Sequence, residues 1–334
     1  MEANLLPLNN EGARRPFWSV IVPLYNRREY LKQCLTSVLE QDPGPQEMEI
    51  IIVDDASESD LRDFVKGIGG ERVTYIRNST NLGLYPSTNM TIRQSRGCWL
   101  HILHDDDWVL PGFYATMRHG VEFLPDSVGV AFCMYRHEHE CDKIWSPPKF
   151  RNEPGIMGRS FIAKLARGNP LQIPAVIYRR ETFARVGLFR EDLPFTADWE
   201  WYVRSALEFS WYHEPSILAC YRVHAHSQTH ELTCKGLTAR DIRLTIETFT
   251  RILPADMVDR VITFARQTNA CHFLRNAQFF AESGNQSIAI RFFLEALALD
   301  PDTLLRPEFV QLLQSPALPS LRNMIKENLL RQME

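Results

Sequence analysis

The sequence predicts an α/β fold, with a mostly parallel sheet flanked by helices and then a small all-helical C-terminal domain. Short apolar, β-branched runs alternate with helix-spaced segments through the first two thirds of the chain. Such alternation buries parallel strands under helices on both faces. After about Thr233 the strand signals fade and helical periodicity remains.

The 334 residues suffice for one large domain and a smaller one, and 45% hydrophobic content supplies their cores. A formal net charge of −4 excludes a nucleic-acid binder that works by bulk phosphate attraction, so any phosphate site must be local. The seven cysteines are odd in number and form no C-x-x-C, which fits buried thiols in a reducing compartment. The leader over 1–16 is polar, without the apolar core of a signal peptide. No apolar stretch approaches the roughly 20 residues a bilayer span requires. The expectation is a cytoplasmic protein with no transmembrane segment, leaving room for peripheral membrane association.

Taken in order, residues 17–23 form the first buried strand. Tyr30, Leu31, Leu35, Val38 and Leu39 keep helical spacing until Asp42-Pro43-Gly44-Pro45 ends the helix. Residues 49–53 form a second strand that ends in Asp54-Asp55. Ser59 caps a helix that the glycines at 67, 69 and 70 break. Residues 73–77 form a third strand, and 85–95 a helix with Pro86 in its first turn. The strand over 98–103 runs straight into His104-Asp105-Asp106-Asp107. Pro111 opens another helix, and 128–135 is a further strand. Residues 136–169, with Pro147-Pro148 and Pro154-Gly155, read as a long irregular loop, a lid or an acceptor-binding segment. A strand over 173–178, helices over 180–186 and 198–209, and strand-like pieces over 211–223 follow. In the tail, residues 269–299 read as a single tetratricopeptide-like hairpin turning at Ser283-Gly284-Asn285. The domains expected are 17–232, divided at 135/136, and 233–334.

Ligands of parallel sheets bind beyond the carboxyl ends of the strands. Tyr25-Asn26, Asp54-Asp55 and Asp105-Asp106-Asp107 all stand at such ends and should converge on one crevice. Three successive aspartates repel one another unless a positive charge binds them, and hard divalent cations prefer carboxylate oxygen. Alone, the run reads equally as a solvated acidic turn or a helix cap; the buried strand before it favours metal. Asp54-Asp55 can accept from a nucleobase or a ribose, or simply cap the Ser59 helix. Tyr25 can stack on a base, or belong to a plain turn.

The series is more specific than its parts. Val22-Pro23-Leu24-Tyr25-Asn26, then Ile52-Val53-Asp54-Asp55-Ala56-Ser57, then Asn81-Leu82-Gly83 with Asn89, then Leu103 to Trp108 appear in this order. It resembles the family 2 glycosyltransferases of GT-A fold over about residues 18–228. That resemblance implies a nucleotide-sugar donor held by Pro23, Tyr25, Asn26, Asp54 or Asp55, Asn81, Gly83, Asp105 and Asp106. It implies Mn²⁺ or Mg²⁺ on Asp107, with His224 of Tyr221-Arg222-Val223-His224 approaching the metal or diphosphate and Arg222 and His226 as weaker candidates. His104 stands where many relatives have the first aspartate of the metal motif. Asp198 matches the catalytic base, and Ala197 replaces a common Glu. Gly187, Leu188, Trp199 and Glu200 would face the acceptor; Trp199, Trp201 and Tyr202 can stack on a sugar ring but suit a core better.

The expected activity is therefore inverting, metal-dependent transfer of one sugar to a hydroxyl of a glycan, a lipid-linked or a small-molecule acceptor. A uridine diphosphate sugar is the default donor. The missing Gln-x-x-Arg-Trp motif and membrane spans argue against a processive synthase. A dinucleotide oxidoreductase would carry G-x-G-x-x-G where Leu24 to Arg28 stand. A nucleotidyltransferase lacks its glycine-rich loop here. An inactive scaffold, whose helical tail docks a protein partner or a second copy, is the remaining alternative.

Overall fold

A computed structural model describes residues 15–139, 143–305, 307 and 309. The expected leader, all but its last two residues, and Cys141 lie outside the described residues. The chain divides into two compact units, one running to Leu165 and from Asn169 to His224, the other formed by Ala166–Gly168 and the residues from Ala225.

The first unit opens with β1 (Trp18–Leu24), α1 (Arg28–Leu39), β2 (Met48–Asp54), α2 (Arg62–Gly69), β3 (Val73–Arg77), α3 (Leu84–Gln94) and β4 (Trp99–Ile102). It continues with β5 (Trp108–Val109), α4 (Phe113–Val121), β6 (Val128–His139), β7 (Ile144–Trp145), β8 (Gly155–Ile156) and α5 (Ser160–Arg167). β9 (Val176–Arg179), α6 (Arg180–Val186), α7 (Ala197–Glu208) and β10 (Ser210–Val223) complete the series to His224. The strands form one sheet in the order β3-β2-β1-β4-β9-β6-β10-β5, with β7 paired to β6 and β8 to β10.

Pairing is parallel along β3-β2-β1-β4 and again between β6 and β10. β9 runs antiparallel to both β4 and β6 and joins the two parallel blocks. β1 is buried along its whole length, as a continuous apolar run between helical layers requires. β2 and β4 flank it, so the segments that leave all three strands emerge side by side.

Residues 136–169 are not the irregular loop expected from their prolines. β6 continues to His139, and β7, β8 and α5 lie inside that span. The prolines at 147, 148 and 154 interrupt only the connections between these short elements. The pieces expected over 211–223 are one strand, β10, irregular in register near Glu214 and Ile217.

The second unit contains α8 (Gln228–Cys234), α9 (Thr238–Ile252), α10 (Ala255–Glu282) and α11 (Gln286–Leu299). The expected boundary at 232/233 falls inside α8, whose start is capped by the Ser227 hydroxyl accepting from the His230 amide. α10 and α11 form the helical hairpin, longer at its front than the sequence suggested. Gly284 makes its turn at φ +80°, a conformation that glycine adopts without strain. Phe273, Phe280 and Phe292 pack together between the two helices.

Candidate active site

Leu24 and Tyr25, at the exit of β1, are the meeting point of two acidic groups. On one side the Asp55 amide donates to the Leu24 carbonyl at 2.8 Å. On the other the Tyr25 amide donates to the Asp105 carboxylate at 3.2 Å. Asn26 turns the chain away at φ +60°, its amide bound to Ser57 Oγ and its side chain accepting from the Glu58 amide. Tyr25 itself remains exposed at the rim.

The first group is saturated by its own protein. Asp54 Oδ1 accepts from the Ser57 amide at 2.8 Å, while Oδ2 accepts from the Tyr75 hydroxyl and from Arg77 at 2.6 Å. Asp54 has no exposed surface. Its carboxylate therefore holds the loop after β2 and does not face a base, which leaves that expectation to Asp55 alone. Asp55 accepts from Asn78, from the Leu82 amide and from the Gly83 amide at 2.8 Å. It thereby shapes the 78–83 turn, in which Asn81 also accepts from Gly83 and Gly83 sits at φ +95°.

The second group is charged beyond its means. Asp105 and Asp106 share the Arg27 guanidinium at 3.0 and 3.1 Å. Burial and the neighbouring Asp106 still push the Asp105 carboxyl up to about 7. Burial pushes Asp106 up as well, but the His224 hydrogen bond and Arg27 outweigh it and hold this carboxyl below its usual range. Asp107 Oδ1 accepts from the Arg222 amide at 2.9 Å, while its Oδ2 is buried with no hydrogen-bond partner. Burial and the adjacent Asp106 and Asp105 raise the Asp107 carboxyl well above the ordinary range. His104 Nε2 is likewise buried without a partner, and burial lowers its imidazole to about 4. His104, Asp106 and Asp107 each offer a ligand atom, all within 4.8 Å of one another. Orphaned polar atoms on His104 and Asp107, with the buried His224 Nδ1 beside them also unpartnered, fit a bound divalent cation, because each buried polar group left unpaired costs on the order of 1–3 kcal/mol.

His224 reaches this cluster through Asp106. Its Nε2 lies 3.0 Å from Asp106 Oδ2 and its ring packs edge-on against Tyr30, so it acts on a carboxylate and is not in the group of three. Arg222 is also committed. Its guanidinium lies between the Tyr30 and Trp108 rings and binds the Asp106 carbonyl and Gln33.

Asp198 stands in the first turn of α7, partly buried, where a helix N-terminus favours an acid. Asn169 donates to its Oδ2 at 3.0 Å. Burial lifts this carboxyl to about 6 against the hydrogen bonds from Trp199, Asn169 and Tyr85. Tyr85 belongs to α3, which begins one residue after the Gly83 that Asp55 holds. One short helix thus ties the loop after β2 to the proposed base. Asn89 strengthens the tie by bonding both ways with the Phe189 backbone at 2.9 and 3.1 Å.

The model of glycosyl transferase family 2 matches residues 19–186. The chain belongs to this family. An uncharacterized protein of Mycobacterium tuberculosis is 29% identical over 242 residues, 68% of this chain and 73% of that protein. An uncharacterized glycosyltransferase of Haemophilus influenzae is 29% identical over 170 residues, 51% of this chain and 55% of its own length. Among solved structures, Staphylococcus aureus TarS 1-349 in complex with UDP-GlcNAc has a TM-score of 0.60 at 17% identity, covering 85% of this chain and 83% of its own. The mannosyltransferase PcManGT of Pyrobaculum calidifontis, in complex with GDP-Man and Mn²⁺, has a TM-score of 0.55 at 18% identity, covering 95% and 84%. These structures show the GT-A fold.

In this family 2 glycosyltransferase the segment around α7 lies beyond the family match, and several residues there have roles the sequence did not reveal. Trp199 is buried and donates to the Leu165 carbonyl at 2.6 Å. Glu200 is buried against Arg204, whose guanidinium also binds the Val186 and Leu188 carbonyls. Gly187 caps α6 at φ +88° and its carbonyl accepts from Trp201 at 2.8 Å. Trp199 and Glu200 therefore anchor α7 in the interior instead of facing an acceptor, and Gly187 and Leu188 offer their carbonyls to that same anchor. Arg27 and Asn169 went unnoticed in the sequence. Arg27 follows Tyr25-Asn26 directly and had that signal; nothing local marks Asn169.

Proposed function

We propose that this glycosyltransferase moves one sugar from a nucleoside-diphosphate sugar to an acceptor hydroxyl, with inversion and with a divalent metal. The observation that carries the reading is the buried, unpartnered Asp107 oxygen within an acidic cluster at the exit of β4. Asp107 and Asp106 would hold the metal, and the TarS and PcManGT complexes support a nucleotide-sugar donor by their fold. When bound, a divalent cation offsets the negative charge that develops on a departing diphosphate.

The chain's own residues supply the rest. Asp55 fixes the 78–83 turn and Tyr25 offers an exposed ring at the rim, an arrangement suited to a nucleoside. The Asp198 carboxylate takes the proton of the acceptor hydroxyl, whose oxygen forms the new bond to the anomeric carbon as the bond to the diphosphate breaks. Attack from the face opposite the leaving group inverts the anomeric configuration. Asn169 and Tyr85 hold Asp198 in place, and its raised proton affinity suits a base that works near neutrality. No described helix is long and apolar enough to cross a membrane.

A donor-turnover assay tests this reading. UDP release from a UDP-sugar should require Mn²⁺ or Mg²⁺ and cease with chelator. Turnover that is indifferent to chelator, or absent with every nucleoside-diphosphate sugar tried, overturns it.

A further inference from the structure

The inference rests on the metal site just proposed. We infer that the His104 imidazole is itself a ligand of that metal and biases the site toward Mn²⁺ over Mg²⁺. His104 places an imidazole nitrogen beside Asp106 and Asp107, where the rest of the cluster offers only carboxylate oxygen. His104 Nε2 is buried with no partner, and so is Oδ2 of Asp107, a residue only 1% exposed. Both belong to the set of three whose ligand atoms lie within 4.8 Å of one another.

A single cation held by this set would serve both residues. The neighbouring cations are not free to do so. Arg27 is divided between Asp105 and Asp106, and the Arg222 side chain is clamped by two rings, a carbonyl and Gln33. His224 Nε2 bonds Asp106, and its Nδ1, buried without a partner too, belongs to a ring outside the set of three. The set itself offers one imidazole nitrogen and two carboxylates to a cation. Mg²⁺ favours an all-oxygen shell with retained waters, whereas Mn²⁺ stands nearer the metals that imidazole suits. His104 also brings one negative charge fewer than an aspartate, which lowers the repulsion inside an already crowded cluster.

Electron paramagnetic resonance of Mn²⁺ bound to the full chain, alone and with UDP, tests this. Pulsed spectra of the unaltered protein should show nitrogen coupling from a bound imidazole. In His104→Asp, Mn²⁺ should still bind but the nitrogen coupling should vanish. The preference for Mn²⁺ over Mg²⁺ should also fall by about tenfold, the scale on which even outer partners of a ligand matter. His104→Asn serves as a second variant should the first fold poorly, and His224→Ala should keep the coupling. Mn²⁺ bound without nitrogen coupling, or coupling that survives in both His104 variants, overturns the inference and leaves the metal site standing. Failure of Mn²⁺ to bind, or equal binding by Asp107→Ala, overturns the metal site as well.

Discussion

Asp54-Asp55 and Asp105-Asp106-Asp107 look alike in the sequence and stand on opposite sides of β1, each at the end of a parallel strand. Their surroundings make them opposites. Asp54 and Asp55 together accept from one arginine, one asparagine, one tyrosine and three backbone amides, so most of their charge is met inside the protein. The second group shares one arginine between two members and leaves an Asp107 oxygen with no donor. A carboxylate whose partners are all internal builds a loop. One that is buried with an unused lone pair awaits a donor or a cation from outside. The number of donors within reach, and not the residue type, separates structure from chemistry here.

Asp198 stands outside both groups and sets the scale against which they are compared. Asp198→Asn should lower kcat by about 10²–10⁴-fold, the usual worth of a positioned base, with donor binding by calorimetry unchanged. Because the base acts ionised and its carboxyl is lifted to about 6, activity should fall as pH drops through about 6 and level off above it. A flat rate from pH 5 to 8 would remove Asp198 from the proton transfer.

The contrast between the two groups is tested most directly by matched substitutions. Asp107→Asn should cost at least about 10–100-fold in transfer and in Mn²⁺ affinity, the scale on which even outer partners of a ligand matter. Without metal its Tm should hold or rise, because a buried carboxylate crowded by its neighbours has been neutralised. Asp54→Asn should do the reverse, losing about 3 kcal/mol of stability in urea while Mn²⁺ affinity holds, because Arg77 and Tyr75 lose a charged acceptor. Equal metal loss in both variants would erase the distinction. The smallest effect belongs to Asn169→Ala. It removes a donor that favours the ionised Asp198, so the acid limb of the rate profile should move to higher pH. No movement in that limb would mean that Asn169 merely packs.

Much of the first unit could be read from spacing alone. The helix expected over 180–186 is α6 to the residue, and the runs before Asp54 and His104 are buried strands of the expected kind. Short turns and alternating periods are local properties, so local sequence expresses them. The region between 136 and 169 departs from the expected loop because its prolines are equally at home in a loop and between two-residue strands. The expected tail boundary lies within α8, whose start carries only the Ser227 cap as a local signal.

Strand period and motif order are local, so the order of amino acids alone sets carboxylates at the ends of the strands of an α/β sheet. What each carboxylate does there follows from how the chain folds. Arg27, Arg77, Asn169 and His224 reach their aspartates across separations of 23 to 118 residues, with Arg27 meeting Asp105 from 78 residues away. Whether a buried charge finds donors or is left wanting one depends on those distant arrivals, and no local pattern carries that count.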